Sequence, residues 1–167
     1  MGNKPTYLGL LNSIAVIEAG GADLFTSWAE NTEDADVRAV LQTVALREAE
    51  HSVSFAKRID QLGYAVVDRP DPKLADRIAI ASSKKLSDRE KFEKLGFGAP
   101  RPDPFGKFFD DITIDIETGT LLGRFVSEER DTARRLDACY ATLSKKSAAT
   151  AKAAAKPKAK PRIKKKS

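Results

Sequence analysis

The chain has 167 residues, of which 41% are hydrophobic, and this suits one globular domain with an appended segment. Its single cysteine, Cys139, excludes an internal disulfide and a multi-cysteine zinc site, and favours a reducing, cytoplasmic location. The first residues lack the pattern of a signal peptide. No apolar run approaches the roughly 20 residues that a spanning helix needs, so we expect no membrane span.

The net charge of +5 is divided unevenly along the chain. Residues 145–167 hold ten Lys and Arg and no Asp or Glu, so they carry +10, and residues 1–144 carry the difference, −5. The basic stretch also lacks aromatic residues and contains Pro157 and Pro161, so it has little to bury. We therefore predict a folded domain at 1–144 and a disordered, Lys/Ala/Pro-rich tail at 145–167.

Hydrophobic periodicity predicts four helices in the domain and no strands. They span about residues 6–30, 35–62, 73–95 and 107–143. Gly63 stands where a glycine commonly ends a helix, and the prolines of segment 96–106 indicate a loop. Four helices joined by polar or proline-rich loops predict an all-α, antiparallel four-helix bundle.

Three of these helices place a carboxylate in the middle of the apolar stripe that should face the core. These residues are Glu18 on the first helix, Glu48 on the second and Glu129 on the last. His51, the only histidine, follows Glu48 by one turn on the same face. The sequence therefore predicts a buried cluster of acidic groups with one imidazole.

Buried carboxylates need a compensating positive charge, and the sequence leaves two sources open. A metal ion suits carboxylate and imidazole ligands together, with iron, manganese and zinc as candidates. Alternatively, Arg47, Arg124 or Arg135 folds inward and pairs with the carboxylates.

Glu18 followed by Glu48-x-x-His51 resembles the first half of the metal site in the ferritin and rubrerythrin superfamily. The stretch LREAEHSVSFAKRIDQLGY also resembles the second helix of that superfamily. The resemblance implies a four-helix bundle in which two helices each supply a Glu and two supply Glu-x-x-His. It further implies that Glu18 is a ligand from the first helix, that Glu48 bridges, and that His51 supplies the nitrogen.

The second half of the chain departs from this pattern. The last helix offers Glu129-x-x-Thr132 where the superfamily has Glu-x-x-His, and the frame Glu128-x-x-Asp131 fits the apolar stripe less well. In the third helix, Glu90 or Glu93 stands at a plausible distance for the remaining ligand. With a single histidine, the site holds one metal ion, an asymmetric pair, or none.

The basic tail resembles the C-terminal arms of linker histones and of some bacterial nucleoid proteins. Its cations would release counterions on binding DNA or RNA, which gives salt-sensitive affinity without base readout. A charged extension that only aids solubility is the alternative. The residues expected to contact nucleic acid are Lys152, Lys156, Lys158, Lys160, Arg162, Lys164, Lys165 and Lys166.

Together these features lead to the hypothesis of a ferritin-like, metal-binding protein that uses iron for oxidant handling or iron sequestration. The tail would tether it to nucleic acid, which gives a cytoplasmic, nucleoid-associated location. One rival is a metal-free helical scaffold that binds nucleic acid or an anionic granule. Another is an oxygenase for a small organic substrate, for which the sequence shows no pocket. Whether the chain is an enzyme and whether it forms homo-oligomers stay open.

Overall fold

The computed structural model describes residues 4–69, 71–99 and 103–154, and these residues form an all-α fold, as predicted. The described residues contain five α-helices and one short 3-10 helix. The α-helices are α1 (Leu8–Glu30), α2 (Ala35–Gln61), α3 (Leu74–Ala81), α4 (Asp88–Lys94) and α5 (Ile116–Ala154), and the 3-10 helix is Phe105–Phe109.

The first two helices begin and end close to the predicted positions, and local signals fix both ends of α2. The Asp34 side chain accepts hydrogen bonds from the backbone N–H groups of Asp36 and Val37, and this caps the start of α2. Gly63 follows α2 with a φ of +83°, a conformation that glycine adopts without strain. Residues 31–34 connect α1 to α2, and the two helices pack against each other in an extensive contact.

The predicted single helix over residues 73–95 is wrong, because two short helices, α3 and α4, occupy this segment. α4 starts at a capping box, in which Ser87 and Glu90 each accept a hydrogen bond from the other's backbone N–H group. Glu90 is therefore engaged in a helix cap, and Glu93 bonds to Arg89 and Tyr140. Neither of these glutamates supplies the ligand expected from a third helix.

The last helix is displaced along the chain relative to the prediction of residues 107–143. It starts only at Ile116, where Asp115 accepts a hydrogen bond from the Thr118 backbone N–H group at 3.0 Å. Its described part extends to Ala154, so the predicted boundary at residue 144 lies inside α5. Alanine and lysine are good helix formers, and the Lys146 ammonium pairs with Asp34 at 3.0 Å. Residues 155–167, with most of the predicted nucleic-acid contacts, lie outside the described residues.

Two hydrophobic clusters occupy opposite ends of the helix assembly. Cluster 1 consists of Leu24, Phe25, Trp28, Ala29, Val37, Leu41, Val44, Ala45, Ala81, Phe92, Phe97 and Leu136. Cluster 2 consists of Tyr7, Leu8, Leu11, Ile14, Ala15, Phe55, Ile59, Leu122, Phe125 and Val126. The start of α1 meets the end of α2 and the start of α5 in cluster 2. α1 and α2 are therefore antiparallel, and α5 runs parallel to α1.

By length and composition alone, α1 is the one helix among the described residues that could cross a membrane. Its most apolar stretch has a mean hydropathy of 1.3, although Glu18 and Asp23 interrupt the apolar residues. Core helices of soluble proteins meet the same two criteria, and α1 packs against α2 and α3. The absence of a membrane span stays a prediction.

Candidate metal centre

A polar layer between the two hydrophobic clusters contains all four ligands predicted from the sequence. Glu18 lies on α1 between the residues of cluster 2 and those of cluster 1, and Glu48 and His51 hold the same level on α2. Glu129 lies between Val126 and Leu136 on α5. Glu18, Glu48 and His51 are buried, and Glu129 is half-buried. The helix faces predicted to be buried from the helical periodicity are therefore correct.

The His51 imidazole is the centre of this layer. Its Nδ1 atom lies 3.1 Å from Glu18 Oε2 and 3.7 Å from Glu129 Oε1. One ligating atom from each of Glu18, His51 and Glu129 lies within 4.8 Å of the other two. Donor atoms from three helices thus converge on a space of the size that one metal ion spans.

The second nitrogen of His51 contacts a residue that was not predicted to belong to the site. Its Nε2 atom lies 2.7 Å from Glu128 Oε2, and Glu128 is held in turn by Arg124 at 3.0 Å. Metal-binding histidines usually donate their other ring N–H group to a carboxylate or carbonyl, which fixes the tautomer and the ring orientation. Glu128 is in the position to do this for His51. Phe125 restrains the ring further through an edge-on contact, with ring centroids 5.0 Å apart.

Glu48 is protonated at neutral pH in the metal-free layer. Burial raises its pKa to about 9, and the neighbouring charges of Glu18 and Glu129 act in the same direction. The positive charge of Arg77 opposes this rise only weakly. The protonated carboxyl shares a hydrogen bond with Glu18, so the layer holds one carboxyl group more than it can keep ionised.

Space for the Glu48 carboxylate comes from a glycine on the facing helix. A Cβ atom built on Gly21 would overlap Glu48 Oε2 and would stand 2.9 Å from the carboxyl carbon. Gly21 has no positive φ and lies within α1, so its role is steric rather than conformational. Helical periodicity carries no signal for such a contact, and the sequence analysis missed it.

Neighbouring carboxylates favour the protonated form of the His51 imidazole. Burial lowers the pKa of His51. The hydrogen bonds that the ring donates to Glu18 and Glu128, and the charges of Glu18 and Glu129, outweigh burial, so the pKa is raised overall. An imidazolium at this position would neutralise part of the surrounding negative charge.

The arginines proposed as alternative partners bind carboxylates at the edge of the layer. Arg47 and Arg135 both pair with Asp131, at 2.7 and 2.6 Å. Arg124 pairs with Glu128 and Glu50. Among the described residues, these ion pairs thus engage Asp131, Glu128 and Glu50 rather than Glu18 or Glu48. The alternative of an inward arginine pairing is therefore not found for the two most buried carboxylates.

A cavity of about 910 Å³ opens beside the carboxylate layer, between α1 and α5. Glu18, Glu48 and Glu129 belong to its wall, together with many apolar side chains. Its volume lies in the upper part of the usual range for small-molecule sites. The wall is assembled from α1, α2, α3, α5 and two loops, which explains why no continuous stretch of sequence indicated a pocket.

The donor set fits a divalent metal ion. Carboxylates and one imidazole are ligands for iron, manganese and zinc, and their negative charge exceeds what His51 alone neutralises. Cys139 is not part of the set. It packs against cluster 1, and burial raises the pKa of its thiol to about 11.

Comparisons with known proteins find no matching family model, no matching curated protein and no matching solved structure. What this chain does is therefore inferred from its own residues and geometry. The resemblance of Glu18 and Glu48-x-x-His51 to the ferritin and rubrerythrin superfamily adds to that inference.

Proposed function

We propose that this protein binds a transition-metal ion, iron in the first place, through Glu18, Glu48, His51 and Glu129. Its function would be oxidant handling or iron sequestration. The observation that carries the proposal is the convergence of ligating atoms from Glu18, His51 and Glu129 within 4.8 Å of one another. A mid-layer position on three different helices makes this convergence hard to attribute to exposed surface charge.

The helix arrangement supports a ferritin-like bundle. In such bundles one long crossover connects the second and third helices. Here α5 runs parallel to α1, and α3 and α4 occupy the sequence position of the third helix. The interrupted third segment explains why this half of the chain supplies fewer ligands than the superfamily pattern requires, and it favours one metal ion or an asymmetric pair.

A bound iron ion would supply reversible one-electron oxidation, which is the chemistry that oxidant handling and iron sequestration both use. The chain's own residues control protons and access around it. Glu48 would lose its proton when it binds the cation, because a nearby positive charge favours the carboxylate. Glu128 would hold His51 Nε2–H, so that Nδ1 faces the other ligands.

The basic tail supports a second part of the proposal, which is association with DNA or RNA. The segment 145–167 contains ten Lys and Arg and no acidic residue, and it follows an acidic domain. This charge distribution favours contact with nucleic acid through that segment alone. The protein would then keep its metal chemistry close to nucleic acid in the cytoplasm or nucleoid.

The metal-free scaffold is a second candidate function, and one observation favours it. His51 bonds Glu18 at one ring nitrogen and Glu128 at the other, so these two carboxylates have a partner without any metal. The helices would then serve as a structural body for the tail. In this case Glu48 stays protonated in the working protein.

Metal analysis with a matched control separates the two candidates. We expect iron(II) to bind the wild-type chain and to raise its melting temperature by several degrees at about 100 times the dissociation constant. His51→Gln should abolish both effects, whereas Glu50→Gln should retain them, since Glu50 bonds Arg124 on the exposed face. Absence of binding by iron, manganese and zinc would leave the scaffold as the function.

A further inference from the structure

The cavity beside the carboxylate layer has two chemically different regions. Its floor contains the buried Glu18 and Glu48, and its walls are mostly small or apolar. Small residues on three helices leave the space open: they include Ala19 on α1, Ala56 on α2 and Ala133 on α5. Side chains of ordinary size at these positions would fill the gap between α1 and α5.

Apolar side chains in this wall are exposed to an unusual degree. Ile17 is 65% exposed and Val66 is 40% exposed, and both line the cavity. Leu74 and Phe105 face the same space from α3 and from the 3-10 helix. All four supply apolar surface to the cavity that an apolar occupant would cover.

The mouth of the cavity is charged. Arg69, Arg77, Arg130 and Arg134 line it together with Asp23, Asp68, Asp71 and Asp103. Asp103 engages Arg130 at two nitrogens, at 2.6 and 2.9 Å. Arg77 is held more loosely, with Asp71 at 3.9 Å, and its side chain is 41% exposed. A guanidinium in that state can accept a second carboxylate, which it recognises with two parallel hydrogen bonds.

We propose that this cavity binds an elongated hydrocarbon molecule with a carboxylate head group, its chain along the apolar wall and its head at Arg77. The orientation follows from the position of Arg77, whose loosely held guanidinium can pair with an anionic head, whereas Glu18 and Glu48 on the floor offer no positive charge. This site goes beyond the proposed metal function. Its occupant is recognised by the cavity walls, and a metal-free chain retains those walls.

The test is calorimetric titration of the metal-free, full-length chain with decanoate, decanol and decylamine. We expect saturable binding of decanoate, weaker binding of decanol and the weakest binding of decylamine. Arg77→Gln should reduce decanoate affinity about tenfold and should leave decanol affinity unchanged, since only the charge-assisted bond is removed.

A matched pair of α5 variants tests whether the ligand binds inside the cavity. Ala133→Phe adds a ring to the cavity wall and should reduce affinity for decanoate and decanol about tenfold or more. Ala138→Phe adds the same ring to an exposed position outside the wall and should leave both affinities unchanged. Thermal melting of both variants shows whether the fold is retained.

No saturable binding of decanoate or decanol would overturn the proposal, as would equal losses in Ala133→Phe and Ala138→Phe. Tighter binding of decylamine than of decanoate would overturn the assignment of the head group, because an amine would sit on the floor carboxylates instead. Since every titration uses metal-free protein, failure here is separate from failure of iron binding.

Discussion

Gly21 on α1 lies directly against the Glu48 carboxylate on α2, and a Cβ atom at position 21 would overlap Glu48 Oε2. A glycine inside a helix costs about 1 kcal/mol relative to alanine. Here the missing side chain gives the carboxylate its place in a buried layer. The pair couples the packing of α1 and α2 to the chemistry of the site.

Gly21→Ala is expected to push the Glu48 side chain out of the layer, or to push α1 away from α2. Overpacking of this kind destabilises by about 1–3 kcal/mol, despite the better helix propensity of alanine. Gly123→Ala is the control, because Gly123 is exposed within α5 and has no atom near its Cβ position. It should be neutral or stabilising by up to about 1 kcal/mol. Urea denaturation of both variants measures the difference.

Glu48→Gln is expected to stabilise the metal-free protein at neutral and alkaline pH. The folded state holds a proton on Glu48 up to a pKa of about 9, whereas the unfolded chain loses it near the ordinary value of 4.5. Wild-type stability contributed by this group is therefore complete below pH 4.5 and falls as pH rises towards 9. Glutamine is neutral in both the folded and the unfolded state, so it removes this loss. Glu48→Gln should therefore raise the free energy of unfolding at pH 7 by on the order of 3 kcal/mol.

The pH dependence of denaturation tests this expectation. Wild type and Glu48→Gln should have similar free energies of unfolding near pH 4.5 and should diverge as pH increases. Parallel curves over this range would show that Glu48 is ionised in the folded protein. That result would contradict the protonated carboxyl described for the metal-free layer.

Glu128→Gln is expected to weaken metal binding about 10–100-fold while leaving the fold intact, because it removes the charged partner of His51 Nε2. The substitution should also lower the pKa of His51. NMR can follow this pKa through the imidazole nitrogen resonances, because the chain has only one histidine. Glu50→Gln, which also loses a bond to Arg124, should change neither quantity. An unchanged His51 pKa in Glu128→Gln would argue against this role.

The tail is expected to make DNA binding strongly dependent on salt. Seven Lys and Arg lie in residues 155–167. If all seven contact phosphate groups, log affinity against log salt concentration should have a slope of about −6. Replacing these seven residues by Gln in the full-length chain should abolish binding and leave the melting temperature and metal uptake unchanged. Retained DNA binding would assign the contact to the helical domain.

The sequence predicted the first two helices well, and it predicted that Glu18, Glu48, His51 and Glu129 lie on buried helix faces, because both depend on local signals. Asp34 and Gly63 mark the ends of helices, and the apolar stripes place Glu18, Glu48 and Glu129 at a common level. The break between α3 and α4 also has a local signal, because Ser87 followed by Glu90 is the pattern of a capping box.

Other features of the site depend on contacts between distant segments and have no local signal. Glu128 lies off the apolar stripe of α5 and reaches His51 only because the imidazole presents a nitrogen on each side. The cavity results from small residues on α1, α2 and α5 that are ordinary when each helix is considered separately. Such features become visible only when the helices are assembled.

The most direct test of the central claim is calorimetric titration of iron(II) into the anaerobic, metal-free wild-type chain, with Glu48→Gln beside it. Saturable uptake of one or two ions per chain by wild type, accompanied by proton release and lost in Glu48→Gln, is the predicted result. No uptake by wild type, or equal uptake by the variant, would contradict a metal site at Glu18, Glu48, His51 and Glu129.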